Sequence, residues 1–266
     1  MPALAANLTL LFRELPFTER FAAAARAGFT GVECLFPYDW PAAELARRLS
    51  DNGLQQVLFN APAGDWEAGE RGLACHPGRE EEFRAGVYRA LEYAAVLGCP
   101  RIHCLAGLLP PDVSRHQAWD CLCENLAWAA DTLAPEGVAL MIEPINSRID
   151  MPGFFIDRAG LARTLMEQLN RRNAWLQFDL YHGAVMEEDL WGALEAHLPV
   201  TGHIQFADLP GRHEPGTGEL PLAALFHWLD QAGYPGWVAA EYHPSGDTLS
   251  SLEPLAPWLR SPGRRS

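Results

Sequence analysis

Four short apolar runs each end in an oxygen-bearing side chain: Glu143 after A-L-M-I, Asp179 in L-Q-F-D, Gln205 in H-I-Q-F and Glu241 after V-A-A. Side chains alternate along an extended strand. Leu140 and Ile142 therefore share one face, and Met141 and Glu143 the other. Leu176 and Phe178 likewise oppose Gln177 and Asp179, and Ile204 and Phe206 oppose His203 and Gln205. Val238 and Ala240 oppose Ala239 and Glu241. With the bulky set turned toward a helix layer, the four polar ends converge. Three carboxylates and one amide make a hard-donor set that suits Mg²⁺ or Mn²⁺, whereas tight zinc sites favour His and Cys. Three inward carboxylates would repel one another without a cation. Glu143, Asp179 and Glu241 therefore stand or fall together.

The elements that must carry these residues alternate along the chain. Expected strands are Leu8–Phe12, Gly31–Leu35, Gln55–Asn60, Arg101–Gly107, Val138–Ile145, Ala174–His182, Val200–Asp208 and Gly236–His243. Expected helices are Phe17–Ala27, Pro41–Asn52, Gly78–Leu97, Arg115–Leu133, Arg158–Asn170, Glu188–His197, Pro221–Ala232 and a weak one near Leu249–Trp258. Phe83, Val87, Leu91, Ala94 and Ala95 show the helical period most clearly. Gly28, Gly53, Gly98, Gly137 and Gly233 each follow a helix, where a left-handed residue ends it. Eight β-then-α units predict an α/β fold, a closed parallel barrel with outer helices whose active site lies at the C-terminal strand ends. A doubly wound sheet would carry a glycine-rich phosphate turn after its first strand, and R-E-L-P-F-T after Phe12 is no such turn. One domain over 1–260 is expected, with a frayed tail at 261–266.

Composition removes several classes. All 20 cationic side chains are arginine. With no lysine there is no Schiff-base aldolase, no pyridoxal-phosphate enzyme and no P-loop, and no nucleotide cofactor is expected. A formal charge of −14 repels nucleic acid and anionic membranes. No apolar run reaches the length of a membrane span, and the N-terminus lacks a signal-peptide pattern. A cytoplasmic protein is expected, and a homo-oligomer is admitted but not required. The six cysteines form no C-x-x-C pair and read as reduced structural thiols. Taken singly, His182 and His213 would be solvated loop histidines, and His103 and Cys104 strand core.

Longer motifs carry a resemblance. They are N-A-P-A-G-D-W (60–66) with G-E-R-G (69–72), E-P-I-N (143–146) with D-M-P-G-F (150–154), and Q-F-D-L-Y-H (177–182). H-I-Q-F-A-D (203–208), G-R-H-E-P-G-T-G-E (211–219) and E-Y-H-P (241–244) complete the set. In these the chain resembles, over nearly its whole length, the hydroxypyruvate isomerase and 2-oxo-tetronate isomerase family of the xylose isomerase-like TIM barrels. The resemblance implies a single (β/α)8 barrel and an aldose–ketose isomerisation of a small anionic hydroxy-oxo acid, with hydroxypyruvate and tartronate semialdehyde as the pair. It implies Glu143 and Glu241 as the proton-transfer residues and Glu143, Asp179, Gln205 and Glu241 as ligands of Mg²⁺ or Mn²⁺. Wider relatives that epimerise sugars usually carry His where Gln205 stands.

The implied chemistry moves one proton between neighbouring carbons and one between their oxygens. Two flanking carboxylates can shuttle the carbon-bound proton. Without lysine, the substrate carboxylate needs an arginine fork, and Arg71 and Arg212 are the candidates. His103 and His182 are candidates to orient substrate oxygens. Alternatives are the same reaction on four-carbon 2-oxo-tetronate, a sugar epimerase or dehydratase on this barrel, a DNA-repair endonuclease, and a barrel that only binds a metabolite.

Overall fold

Short β-branched and aliphatic runs make the strands, and amphipathic segments closed by glycine make the helices. The computed structural model describes residues 2–259, so the tail expected at 261–266 lies outside the described residues. The strands are β1 (Ala3–Asn7), β2 (Gly31–Cys34), β3 (Gln55–Asn60), β4 (Arg101–His103), β5 (Ala139–Ile142), β6 (Ala174–Asp179), β7 (Thr201–Phe206) and β8 (Trp237–Ala240). They form a closed barrel in the order β1 to β8, and the recorded pairings are parallel, with β8 returning to β1. The barrel expected from the β/α alternation is therefore present.

Helices α1 (Phe17–Arg26), α2 (Ala42–Asn52), α3 (Glu80–Leu97), α4 (Arg115–Leu133) and α5 (Ala159–Leu169) each follow a strand in turn. After β6 come α6 (Leu180–Met186) and α7 (Leu190–His197), and α8 (Leu222–Gln231) follows β7. The α4 start is a capping box, in which Ser114 accepts from Gln117 N–H while the Gln117 side chain accepts from Ser114 N–H. All five helix-ending glycines take positive φ, from 62° at Gly53 to 100° at Gly28, as the left-handed cap requires.

Contacts divide the chain into two units, one of residues up to Val57 together with those from His203 onward, the other Leu58–Gly202. In the first, β1 pairs with β2 and β8, and β7 with β8. Ala5, Ala6, Val32, Ile204, Phe206 and Val238 are fully buried there, and Phe206 packs edge-on against Phe226 of α8. In the second, β3 to β6 pair in sequence. Phe59, Ile102, Leu140 and Leu176 are buried there, as are Val87, Leu122 and Leu165 of α3, α4 and α5.

The expected fourth and eighth strands are shorter, ending at His103 and Ala240 rather than Gly107 and His243, and the first and sixth are displaced. The first strand is Ala3–Asn7, not Leu8–Phe12. L-T-L-L-F has the stronger strand propensity, but it is a turn whose Leu8, Leu11 and Phe12 are buried, and Phe12 has φ 58°. The A-L-A-A-N run pairs with β2 on one side and β8 on the other. The sixth strand ends at Asp179 rather than running to His182, because α6 begins at Leu180 with Asp179 as its N-cap.

Candidate active site

In the Leu58–Gly202 unit, chemistry gathers where β3, β4, β5 and β6 end. Glu143 follows β5 directly and Asp179 closes β6, and they are 6% and 2% exposed. Asp179 Oδ1 accepts the N–H of Tyr181 at 2.8 Å. That cap turns its other oxygen toward Glu143 and His182, and one ligand atom from each of these three residues lies within 4.8 Å of the others. His182 Nε2 is 3.6 Å from Asp179 Oδ2 and 3.8 Å from Glu143 Oε1. His103 Nδ1 donates to Asn60 Oδ1 at 3.2 Å and stands 3.5 Å from Glu143 Oε2.

The tautomer of His182 follows from Asn146. Asn146 Oδ1 accepts the N–H groups of Ile149 and Asp150 at 2.9 Å each, which fixes the amide the other way round for its nitrogen. That nitrogen donates to Asp150 and, at 2.7 Å, to His182 Nδ1. An Nδ1 that accepts leaves the proton of a neutral imidazole on Nε2. His182 thus offers its carboxylate neighbours an N–H, not a lone pair. The donor set of this unit fits a hard cation through Glu143 and Asp179, two buried carboxylate oxygens side by side, with the imidazole beside them as hydrogen-bond donor.

Arg71 makes its contacts elsewhere. Its Nη1 donates to the carbonyls of Trp66 (3.0 Å) and Glu70 (2.7 Å), and its guanidinium lies 4.1 Å over the Trp66 ring. The loop is tied to α3 by the Arg79 pair with Glu70, and that arginine holds the Glu70 carboxyl below its ordinary value.

The other unit carries the remaining candidates. Gln205 lies within β7 and Glu241 directly after β8, 2% and 4% exposed. Arg212 Nη2 donates to Glu241 Oε2 at 3.0 Å, and Asn7 Nδ2 donates to Glu241 Oε1 at 3.1 Å. Asn7 Nδ2 also donates to Glu33 Oε1 at 2.9 Å. Gln205 Nε2 reaches the same oxygen at 2.8 Å, and His203 Nε2 donates to Glu33 Oε2 at 2.6 Å. Glu33, 1% exposed, is the hub of this cluster.

Arg212 has φ 57°, in the left-handed region that non-glycine residues avoid. The surrounding loop over-determines it. Arg212 N–H donates to Asp208 O at 3.1 Å, and His243 N–H to Arg212 O at 2.8 Å. Fully buried Asp208 accepts Leu209 and Leu220 N–H on Oδ1 and Gly216 and Gly218 N–H on Oδ2. Glu214 clamps the loop after β8 through the N–H and hydroxyl of Ser245. Burial pushes the Glu214 carboxyl up, and those donors together outweigh it, so its pKa ends below the ordinary value.

Of the eight residues singled out in the sequence, Glu143, Asp179, His103 and His182 meet in one unit, and Gln205, Glu241 and Arg212 in the other. Sequence reasoning missed Asn7, Glu33, Asn60 and Asn146. The alternation that exposed Glu143 applies equally to G-V-E-C, where Glu33 opposes Val32 and Cys34, and it was the available signal. Asn7 was hidden by the misplaced first strand.

A family model of the xylose isomerase-like TIM barrel matches residues 21–261. The chain is 49% identical to a 2-oxo-tetronate isomerase of Cupriavidus necator over 97% of its own length and 99% of that protein. It is 45% identical to a hydroxypyruvate isomerase of Escherichia coli, with 95% and 98% covered. A crystal structure from Brucella melitensis, described as an AP endonuclease of family 2, superimposes with a TM-score of 0.94 at 47% identity, covering 97% of this chain and 99% of that one. The chain belongs to the xylose isomerase-like TIM barrel family, together with the hydroxypyruvate and 2-oxo-tetronate isomerases.

Proposed function

We propose that this protein is an aldose–ketose isomerase that interconverts hydroxypyruvate and tartronate semialdehyde, with a divalent cation, Mg²⁺ or Mn²⁺, held by Glu143, Asp179, Gln205 and Glu241. The observation that carries the reading is the pair of buried, adjoining carboxylates Glu143 and Asp179, in a chain nearly half identical to two such isomerases. When bound, the cation supplies Lewis-acid stabilisation of charge developing on the substrate oxygens.

The protein's own groups do the rest. Glu143 and Glu241 take the proton from one carbon and return it to its neighbour. Arg212, paired to Glu241, sets a positive charge beside that carboxylate and is the arginine for the substrate carboxylate. Arg71 is the second arginine for that carboxylate. His182, carrying its proton on Nε2, donates to a substrate oxygen beside Glu143, and His103 holds a second one.

The test is to strip metal, restore Mg²⁺ or Mn²⁺, and follow deuterium entering hydroxypyruvate in heavy water by NMR. Turnover restored by either ion supports the reading, and absence of exchange with both ions removes it. The four-carbon alternative rests on the 2-oxo-tetronate relative, and kcat/KM measured on both acids decides between them. An endonuclease, as the Brucella protein is described, must hold a polyanion, and a chain of formal charge −14 repels one.

A further inference from the structure

Glu33 does nothing in the reaction just described, yet it is among the most buried carboxylates of the protein, at 1% exposure. Three side chains donate to it: Asn7 and Gln205 to Oε1 at 2.9 and 2.8 Å, and His203 to Oε2 at 2.6 Å. A buried carboxylate surrounded by donors is stable where it stands, and its acceptors dictate which atoms its neighbours turn toward it.

For Gln205 that choice is decisive. A primary amide has a nitrogen end and an oxygen end of nearly equal shape, and only the oxygen ligates a hard cation. An oxygen placed 2.8 Å from Glu33 Oε1 would repel it, so the nitrogen must lie there. The same carboxylate oxygen orders Glu241 at one remove. Asn7 Oδ1 accepts the N–H of Thr9 at 3.0 Å, which fixes its amide, and its nitrogen spans Glu33 Oε1 and Glu241 Oε1.

We propose that Glu33 is a positioning residue, which by holding the amide nitrogen of Gln205 makes the carbonyl oxygen the atom that side chain presents to the cation. The proposal rests on the divalent-cation reading above and assigns Gln205 its donor atom.

The experiment is a Mn²⁺ titration of metal-stripped protein, followed by electron paramagnetic resonance of the free ion. If the unaltered protein binds no Mn²⁺, the divalent-cation reading fails and this proposal with it. If it binds, Glu33→Met should weaken Mn²⁺ by about 10- to 100-fold, as loss of a ligand-orienting partner does. Glu33→Gln keeps an oxygen available to Gln205 and should bind close to the unaltered protein. Glu33→Met combined with Gln205→Glu should recover the affinity, because a carboxylate presents an oxygen whichever way it turns. Unchanged affinity in Glu33→Met, or a loss that Gln205→Glu does not repair, overturns the positioning role and leaves the divalent-cation reading standing.

A second measurement does not depend on Glu33→Met folding. In protein labelled with ¹⁵N-glutamine, the Gln205 side-chain signal is identified by its loss in Gln205→Glu. It should show slow solvent exchange both with and without Mg²⁺, since the nitrogen stays on Glu33 throughout. Fast exchange in either state overturns the proposal.

Discussion

The two units bury acid in different ways. In the unit that carries Glu241, every recorded neighbour of a buried carboxylate is a donor: Arg212 and Asn7 face Glu241, and Asn7, Gln205 and His203 face Glu33. In the Leu58–Gly202 unit, an oxygen of Glu143, an oxygen of Asp179 and a nitrogen of His182 lie within 4.8 Å of one another. The first arrangement carries its own compensation, as a buried charge requires. The second sets two carboxylates close together, where the proposed cation would lower their mutual repulsion. One half supplies its own donors, and the other is the half on which the proposed cation would draw most.

That contrast can be broken most directly by neutralising one glutamate in each half. Glu143→Gln and Glu241→Gln should each lower turnover by about 100- to 10,000-fold, the usual worth of a positioned proton-transfer group. Their effects on the metal-stripped protein should have opposite signs. Glu143→Gln relieves repulsion with Asp179 and should raise Tm. Glu241→Gln leaves the Arg212 guanidinium without its carboxylate and should lower stability by about 1–3 kcal/mol. Calorimetry of both variants decides, and shifts of the same sign would end the comparison.

Asp208→Asn sharpens the picture of the half that carries Glu241. Asp208 satisfies four backbone N–H groups, and an amide nitrogen in place of one oxygen opposes two of them. A loss of about 2–3 kcal/mol is expected, with KM rising as the Arg212 loop loosens. A denaturant titration and steady-state kinetics check the two parts.

A smaller effect should appear in acid. Hydrogen bonding from Arg79 lowers the Glu70 pKa from its ordinary 4.5. A group depressed in the folded state contributes stability that is fully present above its unfolded pKa and fades as pH falls through the folded one. Glu70→Gln should therefore lower Tm above the ordinary carboxylate pKa and converge with the unaltered protein in stronger acid. Parallel Tm curves across that window would remove the Glu70–Arg79 pair from the stability of the loop.

The smallest effect concerns the thiols. Burial pushes Cys75 and Cys104 up to about 12 and Cys121 and Cys123 up to about 11. Thiolate is the reactive form, so iodoacetamide at neutral pH should leave these four unlabelled and activity intact. Mass spectrometry of the treated native protein reports it.

Much of this was legible in one dimension. Alternation along A-L-M-I-E and L-Q-F-D separates core from mouth because a barrel strand has only two faces, and a glycine after five of the helices marks where the next strand begins. What stayed hidden depends on contacts between segments far apart in the chain. L-T-L-L-F outscores A-L-A-A-N on propensity, yet A-L-A-A-N holds the strand position, paired with β2 on one side and β8 on the other. The turn into α6 was missed because L-Y-H continues an apolar pattern. Asp179 stops the strand by accepting the Tyr181 N–H, and an acid at a strand end does not announce that use. Glu33 shows the same limit: its spacing was visible, but its three donors come from β1 and β7.

Asp179 therefore does two jobs with two oxygens. One starts a helix and the other faces the neighbouring acid, and His182 rides on that helix one turn later. Lengthening this side chain to glutamate would shift the helix start and the imidazole together, so the acid cannot be adjusted on its own. Asparagine is the substitution that separates the jobs, since its carbonyl can keep the cap while its nitrogen replaces the second oxygen. The reach of the acid and the position of the histidine are thus set through one side chain.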